Sequence, residues 1–409
     1  MSCVSCGIDW ADDHHDVALV DQNGALLVSL RIGDDRAGLE QLLDVLAEHG
    51  DSAEHPVPVA IETPRGLLVA ALRAGARPVY AINPLAASRY RSRRSVSNAK
   101  SDPADARLLA DILRTDRDAH RPLPADSELL GGLVVLTRAH QDAIWDRRRI
   151  TNRLRAHLRE YFTAGLRGFE GTGTLGLDSA AARAVLTAAP TPAAAAAAEL
   201  TGPRLRELLT SRGRLRRALD TETERLLGLF TSTGVLRQPP GVEQAMGQQT
   251  LALIRQLDAI CATIPDLAGA IEDAFSKHPD APIITSFPGL STISGARVLA
   301  ELGDDHTRFA SARSVKAYAG SAPITRASGR SRAVMARTVK NQRLASAGYM
   351  WAFAALRSPE ARHHYDRRRA TGERHTAALR NLFNKLLGSL YHCLQTGTPY
   401  DPTRAFTTA

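Results

Sequence analysis

The feature that most constrains the fold is the order of hydrophobic periods in the opening stretch of the chain. Cys3–Trp10 and Asp16–Val20 are short runs of strand-forming residues. Asp21-Gln22-Asn23-Gly24 then supplies a turn with Asn-Gly in it, and Ala25–Ile32 follows as a third run. Leu39, Leu42, Leu43 and Leu46 recur at helical spacing, with Gly50 as a helix stop. Val57–Glu62 reads as a fourth strand, Gly66–Ala74 as a helix and Pro78–Asn83 as a fifth strand.

Three meandering strands, then helix, strand, helix and strand, is the order of a ribonuclease-H-like (RuvC-like) mixed sheet, expected over residues 1–128. Beyond it the pattern turns helical. Leu129–Phe162 is arginine-rich, with Leu154, Leu158 and Phe162 as one apolar stripe. Ala180–Leu200 is alanine-rich and interrupted by Pro190 and Pro192, which suits a linker or a peripheral helix. Leu205, Leu208, Leu215, Leu219, Leu226 and Leu229 mark an amphipathic helix; Leu253, Leu257, Ile260 and Ile264 mark another after Pro239-Pro240-Gly241. Such paired helices suit an antiparallel coiled coil, a subunit interface or an ordinary bundle, so 129–280 is expected to be a helical, coiled-coil oligomerisation region. A third, mainly helical domain is expected over 281–409. There, Ser286–Ala296 leads into a helix ending at Gly303, like a helix–hairpin–helix element whose turn amides hold a DNA phosphate. Leu379, Leu382, Phe383, Leu386, Leu387 and Leu390 form a buried helical face near the C-terminus. The fold class is α/β plus all-α.

With 409 residues, 44% of them hydrophobic, the chain can bury a sizeable core. No run of about 18 uncharged apolar residues occurs, so no membrane span is expected. The opening residues lack the order of a secretory signal, and four cysteines make no disulfide framework; a cytoplasmic location is expected. Cys3 and Cys6 form a C-x-x-C pair without a second pair to complete a tetrahedral zinc site. The net charge is +9, and its distribution matters more than its size. His306–Pro359 and Leu85–Lys100 contain no Asp or Glu but many Arg and Lys. Solvated faces mix both signs, so one-sign tracts point to a nucleic-acid backbone. The expected contacts are Arg89, Arg91, Arg93, Arg94, Lys100, Arg326, Arg330, Arg332, Arg337 and Lys340.

Asp9 sits inside the first strand and Glu62 ends the fourth, places where carboxylates are disfavoured unless something relieves their burial. A divalent cation would do so, and in a ribonuclease-H-like sheet these two strands are neighbours. Asp102 and Asp105 open a helix and, three apart, project from nearly one side of its first turn. By themselves they are better explained as an N-cap and a dipole-favouring acid around Pro103; Asp9 and Glu62 on the proper strands reverse that balance. Together the four carboxylates can hold a pair of Mg²⁺ ions about 3.5–4 Å apart. Asp12, Asp13 and Asp16 read as loop and turn residues. In the basic tract, a serine before a glycine is either a nucleophile toward phosphate, with Arg326, Arg330 and Arg332 stabilising charge, or a loop hydroxyl that binds phosphate.

Gly7-Ile8-Asp9-Trp10, Ala60-Ile61-Glu62-Thr63-Pro64, Lys100-Ser101-Asp102-Pro103-Ala104-Asp105-Ala106, Pro288-Gly289-Leu290, Ala300–Asp304 and Ala317-Tyr318-Ala319-Gly320 through Ser328-Gly329 occur in this order. Jointly they resemble the DEDD transposases of insertion elements, a family that includes pilin-gene invertases and recombinases guided by a structured bridge RNA. The resemblance covers about 1–160 and 281–395. It implies a RuvC-like domain joined to a serine transposase domain, with Asp9, Glu62, Asp102 and Asp105 as a Mg²⁺-binding tetrad and Ser328 as the nucleophile. It further implies double-stranded donor and target DNA, a covalent phosphoserine intermediate and a site composed from two subunits. A guide RNA, and dimers or tetramers assembled around the middle helices in a bacterial cytoplasm, are implied too. Ser321 stands where the family usually has leucine, Arg330-Ser331-Arg332 replaces a glycine-rich continuation after Ser-Gly, and 165–280 is longer than usual.

Other classes fit less of the chain. Actin-like sugar kinases also open with Gly-Ile-Asp but need a glycine and a hydroxyl residue where Trp10-Ala11-Asp12 stands. A tyrosine recombinase is suggested by His364 and Arg367 with Tyr391 downstream, but it leaves the carboxylates idle. A junction-resolving nuclease would use the carboxylates alone. A non-catalytic nucleic-acid-binding protein would tolerate alanine at all of them.

Overall fold

The computed structural model describes residues 4–75, 77–94, 101–170, 176–196, 200–211, 219–232, 236–329 and 331–406. They divide into two compact units, Met1–Ala125 and Asp126–Ala409.

In the first unit, β1 (Ser5–Trp10), β2 (His14–Val20) and β3 (Leu26–Gly33) form the antiparallel meander. Helix α1 (Arg36–Glu48) starts where Asp35 accepts a hydrogen bond from the Gly38 amide. Strands β4 (Val59–Ile61) and β5 (Val79–Ala81), either side of α2 (Leu67–Ala74), join parallel to β1 and to each other. The sheet order is β3-β2-β1-β4-β5, the mixed sheet expected of a RuvC-like domain. Helices α3 (Pro84–Arg94) and α4 (Asp102–Asp116) follow.

Period-two alternation sorts the strands into two faces. Cys6, Ile8, Val17, Leu19, Val59 and Ile61 share one apolar cluster with Leu42 and Leu46 of α1 and Leu72 of α2. The opposite face carries Gly7, Ala18 and Ala60 and receives α4. A Cβ at Gly7 would lie 2.1 Å from the Ala106 carbonyl oxygen and 2.3 Å from the Ala110 nitrogen, so only glycine admits the helix this close.

The second unit is mostly helical: α5 (Glu128–Tyr161), α6 (Thr163–Gly168), α7 (Ala180–Ala188), α8 (Pro192–Ala196), α9 (Gly202–Ser211), α10 (Leu219–Phe230) and α11 (Pro240–Phe275). It continues through α12 (Ala281–Thr285), α13 (Thr292–Leu302), α14 (Ala312–Tyr318), the hairpin β6 (Ile324–Ser328) and β7 (Ser331–Met335), α15 (Gln342–Ala355), α16 (Pro359–Ala370), α17 (His375–Thr396) and α18 (Pro402–Phe406). Helices α5 and α11 run antiparallel. His157 and Tyr161 near the end of α5 meet the Met246 carbonyl and Thr250 near the start of α11, while Leu130 and Leu133 share a cluster with Ile271 and Phe275.

Two expectations for this region are corrected. The alanine-rich segment is neither linker nor peripheral: Ala181, Ala182, Val185, Leu186, Ala195 and Leu200 are buried in a cluster with Leu158 and Leu257. Small side chains let α7 pack closely on α9 and α11, so little side-chain volume does not mean little packing. The stripe from Leu205 to Leu229 is two helices, with 212–218 outside the described residues. The long partner of α11 is therefore α5.

Candidate active site

The acidic residues reach the site through strand register. Asp9 is the direct cross-strand partner of Asp16 on β2. Ile8 pairs with Ile61 on β4, so Asp9 and Glu62 each stand one residue past that pair, at the same end of neighbouring parallel strands. Alternation puts Asp9 and Asp16 on the face that carries Gly7, Ala18 and Ala60, the face covered by α4, while Glu62 follows the end of β4. Helix α4 runs antiparallel to β1: Ala106 and Ala110 lie over Gly7, and Asp102 approaches Asp16 through Arg31. Strand register therefore sets Asp9 beside Asp16, and Asp102 of the first turn of α4 reaches Asp16, whereas Asp9, Glu62 and Asp105 are not in the group of ligand atoms that His14, Asp16 and Asp102 form.

Charges within the cluster are closely matched. Asp16 is only 5% exposed, and Arg31, its cross-strand neighbour on β3, donates to it from Nη2 at 2.8 Å and Nε at 3.3 Å. The same Nη2 lies 3.9 Å from Asp102 Oδ2. The hydrogen bond to Asp16 raises the already high pKa of Arg31 further. His14 donates from Nδ1 to Asp13 Oδ1 at 2.6 Å, and its Nε2 stands 3.9 Å from Asp16 Oδ2. That bond holds the Asp13 carboxyl below its ordinary range. With Nδ1 committed as donor, Nε2 of the neutral ring carries the lone pair, the arrangement that orients histidine ligands on metals. One ligand atom each from His14, Asp16 and Asp102 lies within 4.8 Å of the others. Oxygen donors with one imidazole suit a divalent cation.

Asp102 is the first residue of α4, and Ser101 occupies the N-cap without a side-chain capping bond, so Asp102 is not the cap. Asp105 is buried and accepts from Arg91 Nε at 3.0 Å. Arg91, expected to contact nucleic acid, thus directs its guanidinium to Asp105. Arg89 and Arg93 on α3 are exposed; the Arg94 side chain and Lys100 lie outside the described residues. Asp16 is a correction, being a buried strand residue, whereas Asp12 and Asp13 do lie in the β1–β2 turn. The missed signal was local. In His14-His15-Asp16-Val17-Ala18-Leu19 the apolar Val17 and Leu19 alternate with Asp16 and Ala18, which points Asp16 the same way as the glycine-bearing face of β1.

In the second unit, Ser328 ends β6, exposed beside Gly329, whose φ is +54°. Ser331 starts β7 as its partner, and Arg326 is exposed on the same hairpin. Arg330 and the Arg332 side chain lie outside the described residues, and Arg337 and Lys340 are half-buried. Ser321 is buried, 3.0 Å from Asn384 Oδ1. Tyr391 donates its hydroxyl to the Phe309 carbonyl at 2.9 Å, and buried His364 meets Asn381, so neither is presented as a recombinase tyrosine site would need. Cys6 is a core residue whose thiol burial pushes up to about 12; Cys3 lies outside the described residues.

Two family models match the chain. A DEDD-type model described as a transposase matches residues 6–163, and a model of the transposase IS116/IS110/IS902 family matches 281–366. A mini-circle transposase for IS117 from Streptomyces coelicolor is 59% identical over 404 residues, spanning 98% of this chain and 96% of its own. The chain belongs to the IS116/IS110/IS902 transposase family. A 42 kDa protein of insertion element IS900 from Mycobacterium paratuberculosis is 32% identical across 99% of this transposase and 98% of its own length. A 44.8 kDa protein of IS116 from Streptomyces clavuligerus is 30% identical across 97% and 96%. Membership implies DNA binding and DNA strand transfer, and the DEDD type suggests use of a divalent metal, for which this transposase has the His14, Asp16 and Asp102 group. Among the described residues no helix is long and apolar enough to cross a membrane.

Proposed function

We propose that this transposase cuts and rejoins donor and target DNA through a covalent phosphoserine at Ser328, with Asp9, Glu62, Asp102 and Asp105 as the acidic tetrad around Mg²⁺. The observation that carries the reading is the strand register that makes Asp9 the cross-strand partner of Asp16, whose carboxylate lies in one group of ligand atoms with Asp102 of α4. His14 adds a donor to that group. Bound there, Mg²⁺, two ions for the four carboxylates, supplies positive charge beside the scissile phosphate.

The chain's own residues account for the rest. The Ser328 oxygen forms a bond to phosphorus as the bond from phosphorus to a DNA oxygen breaks. The departing oxygen leaves as a free hydroxyl, gaining a proton to match the one serine gives up. That hydroxyl, or one from the other duplex, then attacks the phosphoserine, restoring the serine and a phosphodiester. Arg326, Arg330 and Arg332 stabilise charge on the phosphoryl oxygens, while Arg89 and Arg93 of α3 track the backbone. A single chain supplies one serine and one acidic group, and the site is composed from two copies in a dimer or tetramer built on the long helices. A structured guide RNA selects the DNA; the family resemblance alone supports this.

Trapping after denaturation tests the chemistry. The unaltered chain is expected to yield a DNA–protein adduct in Mg²⁺, and Ser328→Ala to yield none while still binding DNA. Cleavage that survives Ser328→Ala would instead identify a hydrolytic nuclease. Sequencing RNA that copurifies with the chain tests the guide.

A further inference from the structure

In the second unit, a cavity of about 290 Å³ lies between α14, α17 and the C-terminal turn with α18. Lys316 of α14 and Lys385 of α17 line it, with His392, Tyr400 and Arg404. Its one acid, Asp401, is 3.7 Å from Arg404. Among the described residues neither lysine ammonium has a carboxylate within ion-pair distance. The Tyr400 hydroxyl is buried without a hydrogen-bond partner.

The backbone around the pocket is built to keep these groups there. The Lys316 carbonyl accepts from the Ser321 and Ala322 amides at 3.1 and 3.2 Å, which anchors the end of α14. Gly388 leaves room for the lysine: a Cβ there would be 2.6 Å from Lys316 Nζ. Two lysines without a carboxylate partner lining one cavity are costly without a counter-charge, because like charges repel and burial removes their water. Burial, and then the charge of Lys385, lower the pKa of Lys316. Burial pushes the Tyr400 hydroxyl up to about 12, which keeps it a donor at neutral pH.

We propose that this pocket binds a phosphate ester, held by Lys316 and Lys385. Ammonium donors match an anion with several acceptor oxygens. The cavity is far larger than a bare phosphate and lies near the lower end of ligand pockets, roughly 300–1,000 Å³, which suits one nucleotide unit. That unit comes from a nucleic-acid strand or is a free nucleotide. The site stands independently of the serine and metal chemistry.

The test is titration of the full-length chain with adenosine monophosphate by calorimetry. Lys316→Met and Lys385→Met are each expected to weaken binding by about ten- to a hundredfold, the range for a lost hydrogen bond to a charged group. Lys385→Arg, which keeps the charge, is expected to retain binding. Unchanged affinity in Lys385→Met, in a protein with native circular dichroism and melting, overturns the proposal, as does failure of the unaltered chain to bind the nucleotide. An oligonucleotide that displaces the nucleotide marks a strand as the source of the phosphate; one that does not marks a free nucleotide. Either result supports a phosphate site.

Discussion

Ser328 and Ser331 face each other as the last cross-strand pair of an exposed two-stranded hairpin. Two hydroxyls therefore stand side by side at the tip, and family motif position favours the first as nucleophile. Ser331→Ala is expected to leave the yield of covalent DNA adduct within a few-fold of normal, whereas Ser328→Ala removes it. Peptide mapping of the trapped adduct checks this, and phosphate found on Ser331 would reverse the assignment.

The Asp13–His14 hydrogen bond gives a second prediction. If His14 Nε2 is a ligand, Asp13→Ala, although on the surface, should weaken divalent-ion affinity by about 10–100-fold, as loss of an orienting partner does. His14→Ala and Asp16→Asn should weaken it at least as much. Mn²⁺ titration followed by electron paramagnetic resonance measures this without any DNA. Unchanged Mn²⁺ affinity in all three, with loss in Asp9→Asn, would leave the tetrad intact and remove His14 and Asp16 from the site.

Arg91 and Arg89 sit on one helix but should behave differently. Arg91→Ala leaves buried Asp105 without its guanidinium and is expected to destabilise the chain by roughly 1–3 kcal/mol. Adding Asp105→Ala should recover part of the loss, since no unpaired carboxylate then remains. Arg89→Ala should leave urea stability unchanged and lower DNA affinity, with a shallower salt dependence. Paired urea and binding curves separate the two roles.

Acid should act on the Ser127–Asp304 contact at the start of α5. Burial pushes the Asp304 carboxyl up, but hydrogen bonds from the Ser127 amide and hydroxyl and from His278 outweigh it, leaving the group below its ordinary range. A carboxyl depressed by folding contributes stability that is present above its unfolded value, about 3.9, and is lost as pH falls through the folded value. The stability gap between the unaltered chain and Asp304→Asn is therefore expected at pH 6 and should shrink as pH falls below about 4. A gap that stays constant with pH would show that the contact carries no ionic contribution.

The strand order of the first unit was legible because each element there carries its own local signal: alternation in Val17–Val20, the Asn23-Gly24 turn, and leucines of α1 at helical spacing. Asp9 on β1 and Glu62 just past β4 come at the same end of neighbouring strands, because the fold determines which strands are neighbours. Asp16 could not be placed from the sequence, because its role depends on the exact register of β1 against β2, and slipping that pairing by one residue would turn it to the other face. The Arg91–Asp105 pair escaped the sequence for a related reason. A basic tract reveals net charge but not which guanidinium folds back onto an acid 14 positions away. The alanine-rich helices escaped because their stability lies in how closely they approach neighbours, a property of the partners as much as of α7.

Helices α5 and α11 each pass through two hydrophobic clusters, one near either end. Severing the chain beyond α11 would strand Ile271 and Phe275 on one fragment and their companions Leu299, Trp351 and Leu386 on the other. Fragments made that way should expose greasy surfaces and clump. Two separately produced pieces regain solubility only when mixed, a behaviour that offers a ready route to a split, conditionally reassembled version of the molecule.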